Sequence, residues 1–189
     1  MRISKLLINR VSIPKLRAPA PSSEVMETCY RAAMRAPDHG RLKPWRFIQI
    51  EGEGLERLGQ LFLDAENFDA VKERGEEVSE VRQQKLLSMP KRAPMIVVVV
   101  GRVEEHPKVP REEQLMAAAC AAYGLSVALY DHDFGCMWRT GELAYHPLVK
   151  AGLNLADNEE IVGYLYIGTP DCSPKTPKLD DLEQFVKTF

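Results

Sequence analysis

The sequence lacks most of the features that would tie a protein to a metal, a membrane or a nucleic acid. Its four cysteines, Cys29, Cys120, Cys136 and Cys172, are scattered. None forms a CxxC motif, and no Cys/His pair has zinc spacing. They are expected to be buried or idle thiols in a reducing compartment. The longest apolar run, "MIVVVVG" from Met95, has the length of a strand and falls far short of the ~20 residues that span a bilayer. The first ten residues carry charge and no apolar core of signal-peptide length. The expectation is a cytoplasmic protein with no membrane partner. The net charge of −2 and pI of 6.1 lack the basic excess of a nucleic-acid binder. There is no GxGxxG after a strand, no GxxxxGK[ST], no GxSxG and no HExxH, so the usual phosphate loops, nucleophile elbow and zinc helix are missing. "DHD" at 131–133 resembles a metal triplet, but neighbouring helical residues face different ways, so it reads as a solvated helix end.

What the chain does have is a core. It is 189 residues long with 45% apolar and 28% charged side chains, which suits one globular domain over 1–189. Ile3, Leu6 and Leu7 predict a short helix ending near Arg10. "IPKLRAPAP" must be an extended connector. Ser22 or Ser23 caps an amphipathic helix carrying Val25, Met26, Cys29, Tyr30, Ala33 and Met34, which Pro37 stops. "RFIQIEG" alternates as a strand. Residues 54–88 read as helical, with a charged second half expected to be mobile or solvated. "APMIVVVVGRV" reads as an interior strand covered on both faces. Pro110, with Glu112 and Glu113 behind it, opens an alanine-rich deep helix, and Gly135 is expected to end it. "GCMW" is a short strand, "HPLVKAGL" a short helix and "IVGYLYIG" a last strand. The order α-α-β-α-α-β-α-β-α-β predicts an α+β fold. The apolar tail "LEQFVKTF" is expected to lie on a partner subunit.

Three separated basic or polar clusters remain. Arg10 and Ser12 follow the first helix. The loop within "RAAMRAPDHGRLKPWRFIQIEG" gathers Arg35, His39, Arg41, Lys43 and Arg46 against Asp38, with Trp45 among them. Trp138-Arg139-Thr140 follows the deep helix. Arginine forks and hydroxyl donors suit a phosphate, and a ligand with a phosphate at one end and a flat ring at the other accounts for all three. The competing reading is ordinary surface arginines with both tryptophans in the core.

At these residues the chain resembles the FMN-dependent nitroreductase family, over nearly its whole length. "INRVS", "RAAMRAPDHGRLKPWRFIQIEGEG", "KVPREEQLMAAACAAYGLSVALYDHDFGCMWRTG" and "IVGYLYIGTP" carry the likeness. The combination of Arg-x-Ser, Ala-Pro-Asp-His…Pro-Trp and Trp-Arg-[Ser/Thr]-Gly is specific. The resemblance implies a mixed or antiparallel sheet flanked by helices in an intertwined homodimer, with FMN at the subunit interface. It implies that Arg10 and Ser12 hold the FMN phosphate. Arg35, Pro37 and His39 come from the other subunit and edge the flavin ring. Trp138, Arg139 and Thr140 close the site, Arg139 toward the phosphate. NADH or NADPH is the implied reductant, and a small flat acceptor such as a nitroaromatic or quinone the implied oxidant. Donors at the ring edge favour its reduced form, which gives the stiff basic loop a reason. Trp45, which begins a strand, is read as packing the loop, and Lys43 stands where the family often has Gln.

One departure stands out. The family's Arg-Arg-Ser is Arg10-Val11-Ser12 here. The missing guanidinium is a charge-assisted bond of roughly 1.5–3 kcal/mol where it is made, for which Lys15, Arg17 or Arg139 can substitute. Three readings follow: an FMN oxidoreductase working by ping-pong hydride transfer without a catalytic side chain or metal; an FMN-binding sensor or partner protein without turnover; and a specialised dehalogenase or flavin-modifying member using residues 66–88 as a lid.

Overall fold

The computed structural model describes residues 3–173 and 175–189. The chain runs through helix α1 (Ile3–Asn9), a two-residue strand β1 (Leu16–Arg17), α2 (Ser23–Ala33), β2 (Trp45–Glu51), α3 (Glu53–Arg74), α4 (Glu80–Ser88), β3 (Met95–Arg102), α5 (Arg111–Asp131), β4 (Gly135–Arg139), α6 (Pro147–Gly152) and β5 (Glu159–Pro170). Apart from β1, which interrupts the extended connector, this is the order that the periodicities predict. Ser22 caps α2, its hydroxyl accepting the Val25 N–H at 3.3 Å.

The sheet is antiparallel at every described pairing, in the order β1-β5-β3-β2, with β4 also on β5. β3 lies inside it and is buried from Met95 to Gly101. Successive side chains leave a strand on opposite faces. Ile96, Val98 and Val100 therefore meet one layer, built from α3, α4 and α6 through Leu58, Phe62, Leu86 and Val149. Met95, Val97 and Val99 meet the other, built from α2 and α5 through Met26, Cys29, Leu125 and Leu129. The β-branched run is needed because both faces are covered, each buried side chain contributing roughly 1.5–3 kcal/mol.

β5 carries a bulge. Val99 pairs with Gly163 but Val100 with Ile161, so Val162 is extra. The bulge switches the alternation: Ile161, Tyr164 and Tyr166 share one layer, while Val162, Leu165 and Ile167 share the other.

One expectation is corrected. The deep helix stops at Asp131, before Gly135, which is the first residue of β4. Asp133 takes the left-handed conformation that ends it (φ 61°). The charged stretch closes α3 and forms α4, the two helices the predicted order places here, and residues 71–80 are exposed except Val78, as a solvated face requires. Gly75 (φ 75°) ends α3. Arg82 then clamps Glu66 with two N–H donors, and the Asn67 side-chain oxygen accepts the Val78 N–H at 3.0 Å. The tail forms a single turn at Leu182–Gln184 and leaves Leu179, Leu182, Phe185 and Val186 exposed.

Candidate active site

The basic loop is held by its own acid. Asp38 accepts the Lys43 N–H at 2.7 Å. Between them Gly40 (φ 77°), Arg41 (φ 58°) and Lys43 (φ 49°) are all left-handed. For the two side-chain-bearing residues that conformation costs on the order of 1–3 kcal/mol each, so the fold imposes it. The loop's charge is also smaller than its composition suggests. Arg46 is a structural clamp, donating to both carboxylate oxygens of Glu159 at 2.7 and 2.5 Å. Arg46 holds Glu159 below the usual carboxylate range, with the Ala156 N–H assisting against desolvation. His39 Nδ1 lies 2.7 Å from Glu113 Oε2 in the first turn of α5. Among the described residues Arg35, Arg41 and Lys43 have no acidic partner within ion-pair distance.

Arg35 and Pro37 border a groove of about 630 Å³ between α1, α2 and α5, walled by Leu6, Leu7, Tyr123 and Gly124. The Arg10 guanidinium stands 5.8 Å from the centroid of the Tyr123 ring. Tyr123 thus lies between the first cluster and the groove edge of the second. Ser12 is exposed beside them. The Ile13 N–H donates to the Cys136 carbonyl at 3.0 Å, which lays residues 10–13 along the start of β4.

β4 divides the third cluster. Trp138 packs toward the α2/α5 layer. Arg139 leaves the opposite face, its guanidinium 5.5 Å from the centroid of Tyr166. Arg139 Nε is buried and has no hydrogen-bond partner among the described residues. An unmet buried donor costs about 1–3 kcal/mol, more when charged. Burial raises the Tyr166 phenol while Arg139 and Arg92 oppose that shift. Thr140 is exposed where the strand ends, and Gly141 (φ 121°) turns the chain. The buried thiols are poor nucleophiles. Desolvation pushes Cys136 up to about 12, against Ser126 and Arg10, and Cys29 up to about 11.

Residues 7–169 match the model of the nitroreductase family. The chain is 40% identical to YdjA of Escherichia coli strain K12 over 98% of both chains, a protein provisionally named an NAD(P)H nitroreductase. The chain belongs to the nitroreductase family. By that membership it is an oxidoreductase. Its fold superposes on a nitroreductase-like family protein from Bacillus cereus with a TM-score of 0.82, at 23% identity over 100% of this chain and 96% of that one. A variant of NfnB, an FMN- and NADPH-dependent nitroreductase from Sphigopyxis sp. strain HMH, aligns at a TM-score of 0.73 and 18% identity, covering 100% and 99%.

Within this nitroreductase chain the sequence-derived residues fall into two groups. Arg35 and Pro37 border the groove, Arg10 meets its wall through Tyr123 with Ser12 exposed two residues on, and His39 is held by Glu113. Trp138 and Arg139 lie beyond it on opposite faces of one strand, with Thr140 at the strand's end. Two partners were not singled out as functional from the sequence. Glu113 read only as a helix-start acid, and Glu159 carried no signal at all. Trp45 is half-buried at the first position of β2, opposite Gly101, which agrees with a packing role.

Proposed function

We propose that two copies of this chain form an FMN-dependent NAD(P)H oxidoreductase, with one FMN at each end of the subunit interface. The observation that carries the reading is the buried, unpartnered Nε of Arg139. A folded protein rarely leaves a guanidinium N–H without an acceptor, and a phosphate or flavin oxygen supplies one. Arg10 and Ser12 add a fork and a hydroxyl, and among the described residues no acid lies within ion-pair distance of Arg10. This donor set fits an anionic, ring-bearing cofactor and offers nothing to a metal.

Bound FMN would supply the redox chemistry, hydride transfer through its N5 between NADH or NADPH and, in a ping-pong cycle, a flat acceptor such as a nitroaromatic or quinone. The protein's part is binding and orientation. Arg10 and Ser12 take the phosphate. Arg35, Pro37 and His39 approach the ring from the partner subunit. Their loop is already rigid through Asp38 and Lys43, so little ordering entropy opposes binding. With Nδ1 engaged by Glu113, His39 presents Nε2 to whatever lies beyond it. Trp138 and Thr140 close the opposite side. Ile3, Ile8 and Met116 on α1 and α5, and the tail residues Leu182, Phe185 and Val186, are apolar and exposed, as a surface that pairs with a second copy requires.

The test is a visible absorption spectrum of FMN-loaded protein, taken anaerobically before and after NADH or NADPH. Bleaching of the flavin band supports the reductase. A band that persists through both reductants makes it a flavin-binding sensor or partner protein. Failure to take up FMN sinks the reading.

A further inference from the structure

Trp138 pairs with Leu165 across the β4–β5 ladder. On an antiparallel sheet the residue two places along the partner strand is a diagonal neighbour on the same face. Here that neighbour is Gly163, and the indole leans onto it. A Cβ built on Gly163 would stand 2.1 Å from Trp138 Nε1, 2.7 Å from Cδ1 and 3.1 Å from the Arg139 carbonyl oxygen. No side chain is tolerated there while the indole keeps its place. Gly163 is not glycine for the sake of its backbone, since it lacks the positive φ of Gly40, Gly52, Gly75 and Gly141. The space above it is the reason. The bulge at Val162 sets which face this position occupies, and so aims the bare Cα at the tryptophan.

We infer that Gly163 is a positioning residue: its missing side chain is the slot that fixes the plane of Trp138, and through it the ring wall of the cofactor site. The inference rests on the flavin reading in one respect, that Trp138 borders the cofactor. A fixed indole costs no rotamer freedom when a flat ligand arrives, whereas an indole displaced by a methyl group loses that plane and must be ordered again on binding.

A double-mutant cycle over Gly163→Ala and Trp138→Ala tests it, reading the FMN dissociation constant by quenching of flavin fluorescence, with far-UV circular dichroism as the check on folding. Gly163→Ala alone is expected to weaken FMN by about tenfold, and the same change in the Trp138→Ala background by less than about twofold, within the range of couplings seen for touching residues. Tryptophan emission of Gly163→Ala should shift to the red as the indole becomes wetter. Equal losses in both backgrounds, or a wild-type constant for Gly163→Ala, overturn the inference. If Gly163→Ala fails to fold, the double variant decides: it must fold, and bind FMN like Trp138→Ala, or the inference is lost. A wild-type constant for Trp138→Ala overturns it too, while leaving the flavin reading intact so long as Arg10→Ala weakens FMN. Absence of FMN binding by the wild type overturns the flavin reading itself.

Discussion

His39 and Glu113 meet at 2.7 Å across the junction between the basic loop and the start of α5. The carboxylate can only accept, so the imidazole carries a proton on Nδ1. Ring orientation is thereby set by a residue on a different element. Glu113→Ala should weaken FMN about two- to fivefold by releasing the ring, while the melting temperature barely moves, because so exposed a pair contributes only about 0.2–1 kcal/mol. Glu113→Gln, which keeps a carbonyl acceptor, should recover most of the affinity. FMN titration beside a thermal melt separates the two effects, and a larger change in stability than in affinity would assign Glu113 to the fold alone.

Arg139→Leu should behave oppositely in the apo and loaded protein. Removing an unmet buried donor leaves apo stability unchanged or raised by about 1 kcal/mol. FMN affinity should fall about 10- to 100-fold, the loss expected for a charge-assisted bond. Arg10→Ala should show the second effect without the first, since its guanidinium rests on Tyr123. Urea unfolding of FMN-free protein, together with FMN retention through gel filtration, checks both.

The Arg46–Glu159 clamp predicts an acid limb. The Glu159 carboxyl is held below its ordinary value, mainly by the Arg46 hydrogen bonds. A depressed folded-state pKa contributes stability that is full above the unfolded carboxylate value of about 4.3 and is lost as pH falls through the folded one. Melting temperature should be level above about pH 5 and drop below pH 4, more gently in Glu159→Gln. At neutral pH, Arg46→Ala should cost about 2–3 kcal/mol, because the carboxylate stays buried without its partner.

α3 and α4 touch through a glycine. A Cβ on Gly59 would lie 2.7 Å from the Leu87 carbonyl oxygen, a backbone atom that cannot step aside. Gly59→Ala should destabilise the chain by about 1–3 kcal/mol in urea unfolding. FMN affinity measured well below the unfolding midpoint should be unaffected.

The helices and strands were legible because each has a single dominant period. Val25, Met26, Cys29 and Ala33 repeat as only a helix can, and the run from Met95 to Val100 has no polar face for a solvated strand. The misplaced end of α5 shows the limit. Gly135 looked like a helix stop, yet Asp133 provides the left-handed residue, as Asp can at modest cost, and the Phe134 N–H closes the turn onto Leu129 at 2.9 Å. Gly135 is bare for another reason: a Cβ there would meet Leu16 at 2.5 Å. The acids that pair with His39 and Arg46 were invisible because Glu113 lies 74 residues from His39 and Glu159 lies 113 from Arg46. Pairings of that range are set by the finished sheet. The residues proposed to face a flavin carried a recognisable pattern; the acids that hold two of the loop's side chains carried none.

β3 is flanked by β2 and β5 and buried on both faces from Met95 to Gly101. Its amides can meet solvent only when the whole sheet comes apart, since local fraying reaches edges and ends first. In deuterated buffer these seven backbone sites should therefore be the last to lose their protons. Their rate is a clock for complete opening of the molecule, against which the quicker exchange of the loop at 38–43 can be timed.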